Sequence, residues 1–264
     1  MFELPESAAE DFGRDGYVVV RRALDDAGVE RVRGWFPRLR AMGAAPSRQI
    51  LYTHTDVPSG RPGMETLMDQ WLYPSATVDP EIARSLLFRL RAAVTLVLGF
   101  QPIPFQDVAL SKEPRHRPFA WHQDVSYWPV DREDGAICWV ALGPMCADNG
   151  GLTLAPGSHE GPCGPAIDLH TGAPQHGSFP TKAPDQGVVP EVGPGDAVVF
   201  HARCWHRSGR SVSVAPRLAW SISWLHPDTR WCLSRAPRHP VRTAVVDGEE
   251  VIRWARAHYP RTID

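Results

Sequence analysis

The sequence lacks the features that mark membrane-spanning, nucleic-acid-binding and secreted proteins. Its 28 lysine and arginine residues nearly balance 30 aspartate and glutamate residues, so the formal net charge is only −2. A chain with this charge balance has no basic footprint for nucleic acid or an anionic membrane. No apolar run approaches the roughly 18 residues of a membrane helix. The first residues also lack the basic and apolar segments of a signal peptide.

The cysteine pattern argues against a disulfide-rich protein and against a zinc-binding one. The five cysteines are odd in number, and no two of them have the C-x-x-C spacing of zinc and redox motifs. The pattern favours neither a disulfide framework nor a zinc knuckle. We therefore expect a cytoplasmic protein with no nucleic-acid or membrane partner. The composition leaves the oligomeric state open.

The order of expected elements favours a mainly β fold with flanking helices in one domain, residues 1–264. Helices are expected from Asp25 to Gly43 and at 80–98, where Asp79 and Gly99 have residue types preferred at helix ends. Short β-rich segments follow, separated by proline and glycine. The predicted strands lie at 16–21, 105–112, 119–125, 137–142, 151–155, 196–200, 203–208, 217–225 and 241–245. This order is typical of an antiparallel double sheet of the jelly-roll or cupin type, a double-stranded β-helix.

One stretch interrupts the strand pattern. Residues 156–194 hold eight prolines, and a connection of this length is either functional or disordered. We predict that it is an insertion or lid over the active end of the domain.

The pattern His-x-Asp occurs three times, and chance alone supplies about one copy in a chain of this composition. His54/Asp56 lies in a turn rich in proline and glycine, which gives a metal pair no rigid support. His226-Pro227-Asp228 also has the residues of a turn. His122/Asp124 lies in a predicted strand, where residues two apart point to the same face. We therefore favour His122 and Asp124 as a pair of metal ligands.

A third ligand is expected at His206, with His201 as the alternative. Two histidines and one carboxylate on one face of a metal are typical of non-haem iron(II) oxygenases. Arg217 opens a later strand, which in a jelly roll would neighbour the strand of His206 and Ser208. An arginine inside such a barrel needs an anionic partner, and its planar fork matches a carboxylate. A surface salt bridge is the alternative for Arg217.

These residues belong to a series of motifs that extends over most of the chain. In chain order the motifs are Phe12-x-x-x-Gly16-Tyr17, Lys112-x-Pro114, Trp121-His122-Gln123-Asp124, Trp139-x-Ala141-Leu142, Asp148-Asn149-Gly150-Gly151, Pro156-Gly157-Ser158-His159, Gly195-Asp196, His206-x-Ser208 and Arg217. With these motifs in this order, the sequence resembles the phytanoyl-CoA hydroxylase family of iron(II)/2-oxoglutarate dioxygenases. That family also includes ectoine hydroxylase. The stretch 156–194 does not align with the family pattern.

The resemblance implies roles for the residues at the matching positions. His122, Asp124 and His206 would hold Fe(II), and Arg217 and Ser208 would bind the distal carboxylate of 2-oxoglutarate. Two further residues, Trp139 and Gln106, match positions that contact this cosubstrate. Trp128 matches an aromatic residue near the metal, and we expect it and Tyr127 to contact the substrate.

The family chemistry consumes O2 and converts 2-oxoglutarate to succinate and CO2 while an aliphatic carbon is oxidised. Related halogenases replace the metal carboxylate by a small residue, so Asp124 favours hydroxylation. Aromatic residues on and beside the metal strands suit a compact apolar substrate, so we expect a small molecule of specialised or amino-acid-related metabolism. Desaturation, cyclisation and epimerisation use the same iron centre. Outside this chemistry, the alternatives are a cupin-type metal isomerase and a non-catalytic metal-binding jelly-roll protein, neither of which needs a carboxylate clamp.

Overall fold

Two antiparallel sheets form the centre of the computed structural model, which describes residues 2–42, 68–114, 116–167, 173–175, 177, 182–236, 239–259 and 262. The strands are β1 Tyr17–Val20, β2 Asp69–Leu72, β3 Ile103–Lys112, β4 Phe119–His122, β5 Ala136–Ala141, β6 Leu152–Leu154, β7 Ala197–His201, β8 His206–Ser208 and β9 Arg217–Leu225. Six strands form the larger sheet in the order β1-β7-β5-β9-β3-β2, and three form the smaller one in the order β4-β8-β6. The mainly β jelly-roll prediction is confirmed.

The helices of the described residues are α1 Ala8–Asp15, α2 Asp26–Arg33, α3 Trp35–Ala41, α4 Pro74–Val78, α5 Pro80–Leu98 and α6 Val251–His258. The first five bury residues against one face of the larger sheet, whereas Val251 and Ala255 of α6 belong to a second cluster of buried residues. Trp35 of α3 meets Trp220 of β9 edge to face, with ring centroids 5.2 Å apart. Side chains alternate along β9, so Trp220, Ile222 and Trp224 join the helix-side core. Arg217, Ser221 and Ser223 line a cavity on the opposite face.

The helix ends agree in part with the sequence. Asp25 caps α2, accepting a hydrogen bond from the Gly28 amide at 2.8 Å. The single helix expected there divides at Gly34 into α2 and α3. Helix α5 has the predicted bounds and ends at Gly99, which adopts the left-handed conformation that glycine tolerates, with φ of 74°. The side chain of Asp79 makes no capping hydrogen bond, contrary to expectation.

Two strand predictions and one prediction of strand pairing are wrong. The strand expected at 241–245 is a 3-10 helix, Pro240–Thr243, because proline lacks an amide hydrogen and His239 caps the turn. The strand expected at 119–125 ends at His122, and a second 3-10 helix covers Asp124–Tyr127. Strands β8 and β9 are not neighbours, since they belong to different sheets.

No helix within the described ranges is both long and apolar enough to cross a membrane. The pair His54/Asp56 lies outside those ranges.

Candidate active site

Three side chains meet between the sheets at the end of β4 and the start of β8. His122 and His206 are register partners in the smaller sheet, with ring centroids 4.1 Å apart. Asp124 Oδ1 lies 3.5 Å from Nε2 of His122 and 3.4 Å from Nε2 of His206. One ligand atom from each residue falls within 4.8 Å of the other two. This His-Asp-His cluster is the single metal-like group of three or more such residues in the described parts of the chain.

Backbone carbonyls orient both imidazoles of the cluster. The Nδ1 atom of His122 is 2.9 Å from the carbonyl oxygen of Ala120, and Nδ1 of His206 is 3.0 Å from that of Cys204. A carbonyl can only accept, so each Nδ1 carries the proton. Both Nε2 lone pairs are therefore left to face Asp124, as a shared metal ion requires.

The charge states of the cluster also suit a divalent cation. Burial, with the neighbouring His206, lowers the pKa of His122, so its imidazole is neutral near pH 7. Burial alone would raise the pKa of Asp124, but His206 and His122 together outweigh it and lower this pKa. Neutral imidazoles and an ionised carboxylate are the forms that bind metal. The residues present therefore fit an iron ion.

The geometry corrects one step of the sequence argument. Alternation along a strand does not bring Asp124 to His122, because the strand ends at His122. The following 3-10 turn folds the Asp124 carboxylate back towards the imidazole. Contacts from the stretch 156–194 hold this turn, since the Gly164 amide donates to Gln123 Oε1 at 2.7 Å.

A buried arginine lies on the larger sheet, across the cavity from Ser208. Arg217 is only 3% exposed, and its Nη1 donates to the Gly150 carbonyl at 2.9 Å. Its guanidinium lies over the Trp139 ring, 5.1 Å from the centroid, while Nε has no hydrogen-bond partner. No ion pair joins Arg217 to a carboxylate of the described residues, so its charge is available to an anionic ligand. Arg217 reaches the pocket from the facing sheet, which replaces the neighbouring strand expected from the sequence.

A second buried cation, Lys112, was missed as a site residue. Lys112 is the register partner of Arg217 on β3 and is fully buried. Its Nζ donates to the Arg117 carbonyl at 2.7 Å and to Ser208 Oγ at 3.2 Å. Burial, with the adjacent Arg217 and Arg210, lowers the pKa of Lys112 to about 7. The sequence signal that could have identified Lys112 is the alternation of side chains along β3, which puts Lys112 on the same face as Gln106.

A cavity of about 170 Å³ joins the two groups. The sequence-predicted site residues that line it are His122, Asp124, His206, Ser208, Arg217, Trp139, Gln106, Tyr127 and Trp128. Trp121, a further aromatic of the metal strand, does not line it. The Trp121 ring instead stacks under the Arg207 guanidinium, 4.7 Å from the centroid.

The two aromatic residues expected to contact substrate have structural partners as well. The Tyr127 hydroxyl donates to the Ile167 carbonyl and accepts from the Ile167 amide, each at 3.0 Å. Trp128 is 3% exposed and meets Phe105 edge to face, with centroids 5.7 Å apart. Tyr127 and Trp128 therefore line the cavity and also contact residues outside it.

The alternative histidines have other roles. Nδ1 of His201 accepts from the Arg203 amide at 3.0 Å, and its ring packs against His159. Nδ1 of His226 accepts from the Asp228 amide at 3.2 Å within the predicted turn. His159 bonds the Gly13 carbonyl through Nε2 at 3.1 Å, which is a structural contact outside the metal cluster.

Solved structures of similar fold include iron- and 2-oxoglutarate-dependent enzymes. The non-heme alpha ketoglutarate dependent carbocyclase SnoK from nogalamycin biosynthesis superposes with a TM-score of 0.74 at 21% identity, covering 94% of this chain and 93% of SnoK. The epimerase SnoN, in complex with Fe3+, alpha ketoglutarate and nogalamycin RO, gives 0.72 at 24% identity, with coverages of 93% and 94%. At these identities the similarity establishes the fold.

Sequence comparison establishes the family. The bovine (Bos taurus) peroxisomal phytanoyl-CoA dioxygenase is 26% identical over 226 residues. The match covers 79% of this chain and 64% of the bovine protein, so the chain spans slightly less than two thirds of that relative. The family model described as Phytanoyl-CoA dioxygenase (PhyH) matches residues 12–219. The resemblance read from the motifs is thus confirmed, and the chain belongs to the phytanoyl-CoA dioxygenase family.

Proposed function

We propose that this protein is an Fe(II)/2-oxoglutarate-dependent dioxygenase that hydroxylates an aliphatic carbon of a small molecule. The observation that carries the proposal is one cavity lined by both the His-Asp-His cluster and a buried arginine. A metal-binding protein without this chemistry would need the first group but not the second. Bound iron(II), with 2-oxoglutarate and O2, would supply the oxidising chemistry.

Each residue of the proposed site then has one task. His122, Asp124 and His206 would hold the iron, since both Nε2 atoms face the Asp124 carboxylate. Arg217 and Ser208 bind the distal carboxylate of 2-oxoglutarate, and a planar guanidinium can do so with two parallel hydrogen bonds.

Three neighbours complete the cosubstrate site. Lys112 adds a second positive charge beside Arg217 and holds the Ser208 hydroxyl. Trp139 supports the guanidinium face. Gln106 of β3 lines the same cavity and contacts the cosubstrate from that wall. Apolar walls formed by residues such as Leu110 and Phe119 exclude water from the reacting groups.

The substrate in this proposal is a free small molecule in specialised or amino-acid-related metabolism. The aromatic wall formed by Tyr127 and Trp128 suits a compact apolar skeleton. Two arginines of the described C-terminal residues already have carboxylate partners, since Arg230 pairs with Glu250 and Arg235 pairs with Glu133, which counts against their binding an acidic carrier. All five cysteines are free thiols, which supports a reducing compartment such as the cytoplasm.

A second outcome at the same centre is cyclisation or epimerisation, which the names of SnoK and SnoN favour. Binding of the target carbon decides between these outcomes and hydroxylation, while the iron and cosubstrate ligands are shared. Product analysis by mass spectrometry separates them, because hydroxylation adds one oxygen atom and epimerisation leaves the mass unchanged.

We also propose that 156–194 covers the reacting groups as part of this single domain. Its described residues bond the turn that carries Asp124, through Gly164 to Gln123 and through Ile167 to Tyr127. A cover joined to a metal-bearing turn can respond to ligand binding.

The test is succinate release from 2-oxoglutarate in air with iron(II) and ascorbate. The wild-type protein should form succinate above the protein-free blank, and His206→Ala should reduce it to the blank. His226→Ala is the matched control, since that histidine serves a turn away from the cavity. No succinate from wild type, or equal loss in both variants, would contradict the proposal.

A further inference from the structure

The strand that carries His122 contains a β-bulge. Its register against β8 shifts between two pairs, Phe119 opposite Ser208 and His122 opposite His206. Two residues of β4, Ala120 and Trp121, therefore face the single residue Arg207 of β8. A bulge of this kind interrupts the hydrogen-bond ladder and redirects side chains, and bulges are frequent beside active sites. The iron and cosubstrate contacts proposed above do not explain why the chain has one here.

The bulge includes the carbonyl group that orients His122. The Nδ1 atom of His122 lies 2.9 Å from the carbonyl oxygen of Ala120, one of the two bulged residues. Hydrogen bonding of the second ring nitrogen fixes the orientation of a metal-binding histidine. A change in the shape of the bulge would move this carbonyl. The direction of the His122 Nε2 atom therefore depends on the conformation of the bulge.

A stacked pair lies on the outer face of the smaller sheet at the bulge. The guanidinium of Arg207, the residue opposite the bulge, lies 4.7 Å from the centroid of the Trp121 ring. Arg207 makes no hydrogen bond or ion pair with the residues that the structure describes. A cation over an aromatic face is attracted by the ring quadrupole. The stack thus joins β4 to β8 at the point where their ladder is interrupted.

Backbone from the stretch 156–194 packs against the Trp121 ring. A Cβ atom on Gly187 would lie 2.7 Å from Cη2 of Trp121 and 2.5 Å from the carbonyl oxygen of Leu154. Glycine permits this close approach of the backbone. The next residue, Val188, exchanges two backbone hydrogen bonds of 2.8 Å with Leu154 of β6. The Trp121 ring is therefore confined by a backbone segment that is bonded to the same sheet.

We propose that Trp121 and Arg207 are positioning residues for the iron ligand His122. Their stack keeps the bulge in the shape in which the Ala120 carbonyl accepts the Nδ1 hydrogen of His122, so that Nε2 is directed to the metal. The inference rests on the iron site of the proposed function and adds two residues that are not metal ligands. Metal affinity then requires an aromatic ring at position 121 and a cation at position 207.

The charge of Arg207 alone would have the opposite effect on metal binding. Arg207 follows His206 directly, and a positive charge close to the site repels a divalent cation. Arg207→Met should therefore tighten metal binding if only the charge matters, and weaken it if the stack matters. Arg210→Met is the matched control, because Arg210 is exposed and has no ring contact among the described residues.

The experiment measures Co(II) binding to the metal-free protein by anaerobic titration of the visible absorption bands of the ion. Trp121→Leu and Arg207→Met should each weaken binding about 5-fold, or about 1 kcal/mol, the value of one cation–π contact. Both should also change the intensity of the Co(II) bands. The double variant should be no weaker than either single variant, because each removes the same contact. Trp121→Tyr and Arg207→Lys keep a ring and a cation, so they should stay within about 2-fold of wild type.

Unchanged or tighter Co(II) binding by Arg207→Met would overturn the inference, and this variant does not remove a hydrogen bond that the fold needs. Additive losses in the double variant, or an equal loss in Arg210→Met, would overturn it as well. The melting temperature of each metal-free variant is measured, and losses of affinity that follow it in Trp121→Tyr and Arg207→Lys would show a purely structural role. Absence of Co(II) binding by wild type would overturn the proposed function together with the inference, so the two failures are distinguishable.

Discussion

Replacing Lys112 by methionine should stabilise the ligand-free protein and weaken its binding of 2-oxoglutarate. Lys112 lies opposite Arg217 in the β3–β9 register, so two buried positive charges are adjacent. Methionine keeps the unbranched apolar stem and removes the charge. The variant loses the Nζ hydrogen bonds to the Arg117 carbonyl and Ser208 Oγ, at 2.7 and 3.2 Å. These lost bonds oppose the stabilisation and reduce its size.

The pKa of Lys112 sets the magnitude and the pH window. It falls from 10.5 to about 7 on folding, and at about 1.4 kcal/mol per unit the ceiling is about 5 kcal/mol. The folded protein holds this proton less tightly than the unfolded chain, so wild-type stability falls as pH decreases from 10.5 towards 7. The variant lacks this dependence. Its advantage in free energy of unfolding should therefore be larger at pH 6.5 than at pH 9, by one to a few kcal/mol.

The same substitution should weaken the binding of 2-oxoglutarate, although it stabilises the ligand-free protein. Lys112 acts on the cosubstrate through its charge beside Arg217 and its bond to Ser208 Oγ, so Lys112→Met should raise the dissociation constant of 2-oxoglutarate about 5-fold, the value of one net hydrogen bond. A bound carboxylate raises the pKa of Lys112, so wild-type affinity should decline as pH rises above about 7. The affinity of the Lys112→Met variant should not decline over this pH range.

The assays are urea unfolding of the ligand-free protein and calorimetric titration of 2-oxoglutarate into anaerobic Fe(II)-loaded protein. Lys182→Met is the matched control, because Lys182 is 80% exposed and pairs with Asp185. A destabilised Lys112→Met protein with unchanged cosubstrate affinity would refute the reasoning. The same change in the Lys182→Met control would refute it too.

Four further predictions test other parts of the molecule. Arg217→Leu should raise the Michaelis constant for 2-oxoglutarate by at least 10-fold, and Arg217→Lys should recover only part, since it lacks the planar fork; an unchanged constant in succinate assays would exclude the clamp. Asp107→Asn should lower the free energy of unfolding by about 1–3 kcal/mol in urea, because the buried carboxylate accepts hydrogen bonds from Ser75, Trp220 and Tyr259; unchanged stability would contradict this. Limited proteolysis should cut first within 156–194, and 2-oxoglutarate with substrate should slow that cut, whereas equal protection would count against a lid. Trp128→Ala should lower the ratio of product to succinate more than it lowers the affinity for iron. An unchanged ratio would show that Trp128 does not contact the substrate.

Local patterns predicted much of the fold. Helix α5 follows from an apolar stripe between Asp79 and Gly99, and its bounds match the prediction. Strands β3, β5 and β9 match their β-rich segments to within about two residues. These signals are local, because they depend on periodicity and on the residues at element ends.

The missed features depend on contacts between distant residues. Asp124 reaches the cluster through a turn that Gly164 and Ile167 hold from some 40 residues away, a contact that strand alternation does not reveal. Lys112 reads as a surface residue by type, and only pairing of β3 with β9 puts it beside Arg217. Motif spacing found His206 and Arg217 but could not show that they lie on different sheets.

Because the residues of the site are divided between two sheets, bound ligands would affect the stability of the whole protein. His122, His206 and Ser208 belong to the three-stranded sheet, whereas Lys112 and Arg217 belong to the six-stranded one. Iron and cosubstrate bound between them would act as a reversible crosslink that only the folded chain can form. At 100 times its dissociation constant, one such ligand adds about 2.7 kcal/mol to the free energy of unfolding. Resistance to degradation would then follow cellular supplies of iron and 2-oxoglutarate, so starvation for either would deplete the enzyme itself as well as halt its turnover.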